Sequence, residues 1–208
     1  DFGPWEWGVT RNFHEILQNS KNGELRIKAI PEVLDYFSKE IELKKETLYN
    51  CKMVQAQDGV SVESDTLGAL LYPLEGETFA LDMVIKTERS HEFGIALHVD
   101  KELETGYFLR MNPKNQLVAW DMWPRGEQGR YQWQIKGDVP YQIETARKLP
   151  KAEEYRVHII KEKDICVVYI NDEIVLSTRM YNHKDGYAGI YVVQGNVNLI
   201  QYKEKRSE

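Results

Sequence analysis

Alternation of apolar and polar positions is the dominant pattern along this chain. Between Thr78 and Lys86 the period is near two, with apolar members Phe79, Leu81, Met83 and Ile85. A sharper alternation runs from Glu24 to Ile30, and the turn signal Asn22-Gly23 before it predicts a hairpin with Val9–Leu17. A period of two is typical of a strand that buries one face.

Similar segments recur along the rest of the chain. Turn residues separate them at intervals of about 8–12 residues, as expected for a sandwich. The pattern therefore predicts an all-β fold, a two-sheet antiparallel β-sandwich of the concanavalin-like jelly-roll type with little helix. The further predicted strands are Phe93–Val99, Gly106–Met111, Gln116–Trp120, Tyr155–Lys161, Ile165–Ile170, Glu173–Thr178, Gly186–Val193 and Val197–Tyr202, with a turn at Gly195-Asn196 between the last two.

Two segments depart from the strand pattern. Pro31 to Lys45 carries apolar residues at helical spacing and has Pro31 as a first-turn residue, so it predicts one short helix. Lys203 to Glu208 is a charged run, which is typical of a solvated terminus.

The segment Ile165–Ile170 is apolar at every position. Because side chains of a strand alternate between faces, it offers hydrophobic groups to both sides of its sheet, and a sandwich buries only one. The outward row needs a cover. Either the segment near Pro31 to Lys45, or a loop, lies over it, or another domain docks there.

Length and charge narrow the class of protein. The 208 residues have 42% hydrophobic composition, and we expect residues 1–208 to form a single β-sandwich domain rather than two small ones. The net charge of −6 argues against a nucleic-acid partner, and the apolar runs are too short to span a membrane. Because the chain starts at Asp1 rather than Met, we expect a processed form or a fragment of a longer protein, secreted or cytoplasmic.

The two cysteines, Cys51 and Cys166, lie far apart in apolar surroundings. We favour two buried free thiols over a disulfide. Neither has the Cys or His spacing of a zinc site, so we expect no metal and no cofactor.

Catalytic motifs are missing where a hydrolase would need them. Glu63 and Asp65 begin a pattern of strand-borne carboxylates, but Gly68 stands at the third position, so we expect a solvated loop. His91 and His98 are seven residues apart, an odd offset that sends their rings to opposite faces of a strand. We therefore predict no catalytic residue, and no hydrolysis of sucrose, inulin or levan by this chain alone.

The most unusual local feature is an aromatic segment from Trp120 to Trp133. Three of the five tryptophans lie in it, beside acidic, basic and amide side chains. Aromatic faces next to such groups suit a sugar, whose CH face packs on the ring while its hydroxyls take directional hydrogen bonds. Packing in the core or a protein interface are the alternatives. The candidate carbohydrate-binding residues are Trp120, Asp121, Trp123, Arg130, Tyr131 and Trp133.

The closing segments resemble the C-terminal β-sandwich module of glycoside hydrolase family 32, the invertase, inulinase and levanase enzymes. That module closes with a strand ending in Asn-Asp, a hairpin and a Thr-Arg-x-Tyr-type strand, and Asn171-Asp172 and Thr178-Arg179 stand at matching places here. Phe93–Leu97 followed by Gly106–Leu109 is similar to two paired strands of the family. Val167 departs from the family, which commonly has Glu there, and Phe13-His14 replaces its Pro-Arg.

The resemblance implies an accessory module with no catalytic residue to transfer. In the family, catalysis belongs to an N-terminal five-bladed propeller, which we expect as the partner of this module, together with an oligosaccharide. Three functions stay open: a non-catalytic module that braces the propeller of a glycosidase acting on fructosyl or related bonds, a free-standing lectin-like carbohydrate-binding module, and a small hydrolase with an unrecognised site.

Overall fold

A computed structural model describes residues 13–123, 141–143 and 146–207. Within these ranges the chain forms antiparallel strands and one short helix, which confirms the predicted all-β class. The elements are β1 (Glu15–Gln18), β2 (Leu25–Lys28), α1 (Pro31–Tyr36), β3 (Lys39–Ile41), β4 (Thr47–Tyr49), β5 (Lys52–Ala56), β6 (Gly59–Leu74), β7 (Thr78–Val99), β8 (Gly106–Asn112), β9 (Leu117–Trp123), β10 (Tyr141–Gln142), β11 (Arg147–Lys148), β12 (Glu154–Glu162), β13 (Ile165–Ile170), β14 (Ile174–Arg179) and β15 (Gly186–Arg206).

Strand β7 organises the fold. Strand β15 pairs with it along almost its whole length, and β6 pairs with the other edge of β15. The opposite edge of β7 is shared, because its first half, from Thr78 to Lys86, pairs with β12 and its second half, from Phe93 to Leu97, pairs with β8. The sheet therefore divides into two arms, β12-β13-β14 and β8-β9 with β10 and β11.

The two arms form the layers of the sandwich, and the core lies between them. Alternate residues of each arm are fully buried in one apolar cluster: Val157 and Ile159 of β12 and Val168 of β13 from one arm, and Leu109 of β8 and Trp120 of β9 from the other. Burial of such side chains from water is the main force that holds two sheets face to face.

The N-terminal elements cover the outer face of the first arm. Val167 and Tyr169 of β13, which point away from the core, are only 5% and 4% exposed because they pack with Ala29, just before α1, and with Leu34 of α1. The Nδ1 atom of His14 lies 2.9 Å from the hydroxyl oxygen of Tyr169. The chain's own residues thus bury Cys166–Ile170 on both faces and Ile165 in part, so the alternative that another domain docks on this strand is wrong.

Three sequence expectations about element boundaries are corrected. The helix is shorter than Pro31 to Lys45, since it ends at Tyr36 and a strand, β3, begins at Lys39. Strands β4, β5 and β6 were not predicted, and Glu63 and Asp65 lie in β6 rather than in a loop. Polar and apolar residues follow no strict period there.

The end of the chain also differs from the sequence expectation, because β15 is longer than predicted. Gly195-Asn196 is not a turn between strands, because β15 continues through a bulge between Val193 and Gly195. The run from Lys203 reaches Arg206 as part of β15, and Glu204 within it is buried at 4% exposure. Pairing with β7 and β3 explains why these charged residues form a strand.

Both cysteines are free thiols, as expected, but only Cys166 is buried as the sequence predicted. Cys166 is fully buried, and burial raises its pKa to about 12. Cys51 is half-buried, and its thiol donates to the carbonyl oxygen of Ala69 at 3.0 Å.

A search for membrane-spanning helices among the described residues finds none with the length and hydrophobicity that a bilayer requires.

Candidate functional site

An open cleft lies on the outer face of the β8-β9 arm, on the side turned away from the core. Its volume is about 610 Å³. Its walls are formed by β4, β6, β7, β8, β9 and β15 and by the loop between β7 and β8. The lining residues are Tyr49, Leu67, Glu92, Glu102, Leu103, Glu104, Phe108, Arg110, Asp121, Trp123, Tyr191 and Val193.

Small residues in the sheet leave room for this cleft. Gly94 of β7 stands between Tyr191 of β15 and Arg110 of β8, and Ala119 of β9 follows Arg110 in the same row. A Cβ atom on Gly94 would lie 2.8 Å from Cε1 of Tyr191 and 1.9 Å from the carbonyl oxygen of Leu109. The absence of a side chain at Gly94 therefore lets the tyrosine ring and the neighbouring strand approach each other across the cleft floor.

Arg110 is the central polar group of the cleft. Its Nη2 donates to Oε2 of Glu92 at 3.0 Å, and its Nε lies 3.2 Å from both carboxylate oxygens of that residue. Its Nη1 donates to Oδ2 of Asp121 at 2.9 Å. The hydrogen bonds that Arg110 donates to Glu92, and then the one to Asp121, raise the pKa of Arg110, so the guanidinium is always charged and is fixed between two carboxylates from neighbouring strands.

Asp121 has an acceptor that the described residues do not use. Its side chain is 3% exposed, and within the described residues its Oδ1 atom is buried without a hydrogen-bond partner. A buried carboxylate oxygen without a donor is costly, so such an atom in a cleft marks a place where a ligand or a water supplies the donor. The Oδ2 atom is already bound to Arg110.

Aromatic side chains surround this charged group. Phe108 and Tyr191 meet edge to face, with ring centroids 5.7 Å apart, and Trp123 is half-buried at the cleft wall. The hydroxyl of Tyr191 lies 3.5 Å from Oε1 of Glu92, and burial raises the pKa of this tyrosine well above its usual range. The phenol is therefore neutral, and its one hydrogen is donated to Glu92.

The structure separates the residues of the predicted aromatic site. Asp121 and Trp123 line the cleft, whereas Trp120 is completely buried in the core. An offset of three along strand β9 places Trp120 and Trp123 on opposite faces, so the ring of Trp120 packs in the core and offers no face to a ligand. Arg130, Tyr131 and Trp133 lie outside the described residues.

Glu92, Phe108, Arg110 and Tyr191 were not among the predicted site residues. A signal for Arg110 exists in the sequence, because it is a charged residue between the apolar Leu109 and Met111, whereas Glu92 ends a polar run and carries no such signal. The hairpin β8-β9 and its pairing with β7 bring Glu92, Arg110 and Asp121 onto one face, which only the register shows.

The residues that were weighed for catalysis do not gather at the cleft. Glu63 and Asp65 are exposed on β6, and His91 is exposed while His98 is buried. Over the described ranges, no group of three or more His, Cys, Asp or Glu side chains is placed to hold a metal ion.

The sequence matches no family model and no curated protein. The fold is similar to solved structures of carbohydrate-active proteins. The carbohydrate-binding module CBM66 from Bacillus subtilis shares 16% identity at a TM-score of 0.65, over 79% of this chain and 98% of that one. Sucrose-6-phosphate hydrolase from Lactobacillus gasseri shares 12% identity at a TM-score of 0.53, and the match covers 94% of this chain and 33% of the hydrolase. Exo-inulinase from Aspergillus awamori shares 13% sequence identity at a TM-score of 0.55, and the match covers 92% of this chain and 34% of the inulinase.

These identities establish likeness of fold alone. The chain spans about a third of the length of the two enzymes and nearly all of the binding module. A β-sandwich of this kind thus occurs both as a solved module and as part of larger glycoside-cleaving enzymes.

Proposed function

We propose that this chain is a carbohydrate-binding β-sandwich module whose binding site is the cleft around Arg110. The observation that supports this proposal most directly is the guanidinium held between Glu92 and Asp121 in a cleft lined by Phe108, Tyr191 and Trp123. Directional donors and acceptors beside aromatic rings match a sugar, which has hydroxyls on its edge and CH groups on its faces.

Each polar group has a distinct part in the binding. A sugar hydroxyl donates to Oδ1 of Asp121, the acceptor without a partner among the described residues, and so satisfies the buried carboxylate. A neighbouring hydroxyl accepts from the guanidinium edge of Arg110, whose side chain is 41% exposed. Because both carboxylates are bound to the same guanidinium, the pair is arranged for binding rather than for an acid and a nucleophile acting across a glycosidic bond.

The module is accessory to a glycosidase in this proposal. Support comes from the resemblance of the closing strands to family 32 enzymes and from the likeness of fold to the inulinase and to sucrose-6-phosphate hydrolase, of which the chain spans a third. The expected partner is an N-terminal five-bladed propeller, which docks elsewhere than on β13. The alternative, a free-standing lectin-like module, is supported by the nearly complete coverage of CBM66. Arg130, Tyr131 and Trp133 stay candidates for further sugar contacts.

The test is a pair of cleft variants with matched controls. Titration calorimetry and affinity electrophoresis with inulin, levan and plant-polysaccharide oligomers measure binding. We expect Arg110→Ala to weaken binding at least tenfold, because it removes charge-assisted hydrogen bonds and leaves Glu92 and Asp121 unpaired. Trp123→Ala should cost about 1–3 kcal/mol of binding free energy, as expected for a packed aromatic contact.

Arg156→Ala is the control, because Arg156 is a largely exposed arginine of β12, outside the cleft. It should bind like the parent chain. If Arg110→Ala also binds like the parent, or if no oligomer binds at all, the cleft is not a sugar site.

A further inference from the structure

Most of the charged residues that line the cleft, among those described, are acidic. Among the described lining residues four are carboxylates, Glu92, Glu102, Glu104 and Asp121, and one is a cation, Arg110. The guanidinium neutralises part of the pair that it binds. Glu102 and Glu104 are exposed, and no ion pair of the described residues includes them.

The loop between β7 and β8 places these two residues in the lining of the cleft. Asp100 fixes the loop, because its Oδ1 accepts the backbone N–H groups of Glu102 at 2.9 Å and Glu104 at 3.1 Å. Its Oδ2 accepts the hydroxyl of Thr105 at 2.6 Å. Between the two glutamates, Leu103 takes a left-handed backbone conformation with φ of 58° and is 5% exposed in the apolar cluster under the cleft.

The loop's own cation does not balance the glutamates at the cleft. Lys101 is exposed but does not line the cleft, and its Nζ lies 6.0 Å from the centre of the Tyr187 ring. Arg110, the other candidate to receive an anion, already donates from Nε, Nη1 and Nη2 to carboxylates. A phosphate or carboxylate on a ligand in the cleft would therefore be repelled by Glu102 and Glu104, while three of the five N–H groups of Arg110 already serve Glu92 and Asp121.

We propose that Glu102 and Glu104, held by Asp100, make the cleft selective for uncharged sugars, so that it rejects ligands bearing phosphate, sulfate or carboxylate groups. The inference rests on the proposed carbohydrate site and adds the chemical class of its ligand. Like charges in the lining of the cleft repel an anion over about a Debye length, roughly 8 Å at physiological salt, whereas a neutral hydroxyl ligand is unaffected.

The test compares neutral and anionic forms of the same backbone. Affinity electrophoresis measures retention of the full chain by inulin against carboxymethyl inulin, and by hydroxyethyl cellulose against carboxymethyl cellulose. We expect the neutral member of the bound pair to be favoured at least tenfold at low salt. This preference should shrink as salt is raised, because screening weakens the repulsion.

The double variant Glu102→Gln, Glu104→Gln should reduce the preference at least threefold, and it should do so by raising retention by the anionic polymer. Glu32→Gln, Glu162→Gln is the matched control, since both glutamates are exposed, neither lines the cleft and the net charge changes equally. It should keep the preference of the parent chain.

The outcomes distinguish the two proposals. Equal retention by neutral and anionic polymers, with sensitivity to Arg110→Ala, overturns the charge selectivity and leaves the carbohydrate site standing. An equal loss of preference in the Glu32, Glu162 control also overturns it, because net charge alone would then be the cause. Retention by no polymer overturns the carbohydrate site and the selectivity together.

Discussion

His98 is a buried imidazole that the fold keeps neutral. It is 2% exposed, its ring centroid lies 5.8 Å from that of Phe79, and its φ of 52° is left-handed. Burial lowers its pKa to about 4, first because the charged form loses its water and then because the ammonium of Lys161 repels it. Glu77 opposes this lowering of the pKa, and His183 adds to it.

We predict that His98 makes the fold sensitive to acid. In the unfolded chain the imidazole takes up a proton below about 6.5, whereas the folded chain resists until about 4, so stability is lost as the pH falls between these values. The lost free energy of unfolding is on the order of 3 kcal/mol for a shift of this size.

His98→Asn tests this contribution, because asparagine does not titrate and tolerates a left-handed backbone. The difference in free energy of unfolding between pH 7 and pH 4, from urea denaturation, should be about 3 kcal/mol smaller in the variant. The comparison cancels the packing that the variant loses at both pH values. Identical pH dependence in the two chains would contradict the assignment to His98.

Trp120 and Trp123 show how far the sequence predicts side-chain roles. Their shared segment suggested a sugar site, and their offset of three already implied opposite faces of a strand. Which of the two faces the core depends on the pairing of β9 with β8, a long-range property that the local pattern does not contain. For the same reason Glu92 and Arg110, distant in sequence, could not be joined to Asp121 in advance.

At the scale of elements, β6, β7 and β15 run through both layers, so the places where they bend decide how the arms face each other. In β15 the bend is a bulge, where Gln194 has φ of 49° and Gly195 has φ of 148°. Bulges increase the local twist of a strand and redirect it. The sequence suggested a turn here because Gly-Asn is a common turn signal, and the same conformational freedom serves a bulge inside one continuous strand.

We predict that Gly195→Ala is strongly destabilising. A Cβ atom there would lie 1.5 Å from the carbonyl oxygen of Arg89, and φ of 148° is unfavourable for alanine. Backbone strain and forced displacement of β7 together should lower the free energy of unfolding by about 2–4 kcal/mol.

Gly76→Ala is the control for that prediction. Gly76 also has a positive φ, 75°, but no atom of the described residues lies within 4 Å of the position that a Cβ atom would take there. The substitution should cost only about 1 kcal/mol, as expected for an alanine in a left-handed conformation. Denaturant unfolding of both variants measures the difference, and equal costs would show that crowding at the bulge is unimportant.

At the scale of the whole molecule, each layer has an apolar patch on its outer face. One patch borders an open cleft, and the other is covered by the chain itself. The patch on the β8-β9 arm, with Phe108 and Tyr191, forms the floor of the open cleft. The patch on the other arm, with Val167 and Tyr169, lies beneath the N-terminal hairpin and helix. The all-apolar strand β13 predicted that a cover was needed, and tertiary structure alone shows that the chain supplies it.

The last prediction follows from that cover. A chain that begins at Ser38 lacks β1, β2 and α1, together with Ala29 and Leu34, and should keep its sandwich core while exposing Val167 and Tyr169. Contiguous apolar surface on a monomer promotes association. We expect increased binding of a hydrophobic dye and a shift to oligomers in size-exclusion chromatography.

A chain that begins at Phe13 is the matched control, because it loses residues 1–12 and keeps β1, β2 and α1 with Ala29 and Leu34. It should elute as the full chain does and bind no additional dye. If the chain from Ser38 behaves in the same way as this control, while its circular dichroism stays that of a β protein, then Val167 and Tyr169 need no cover. The hairpin and helix would then have some role other than shielding this face of the sandwich.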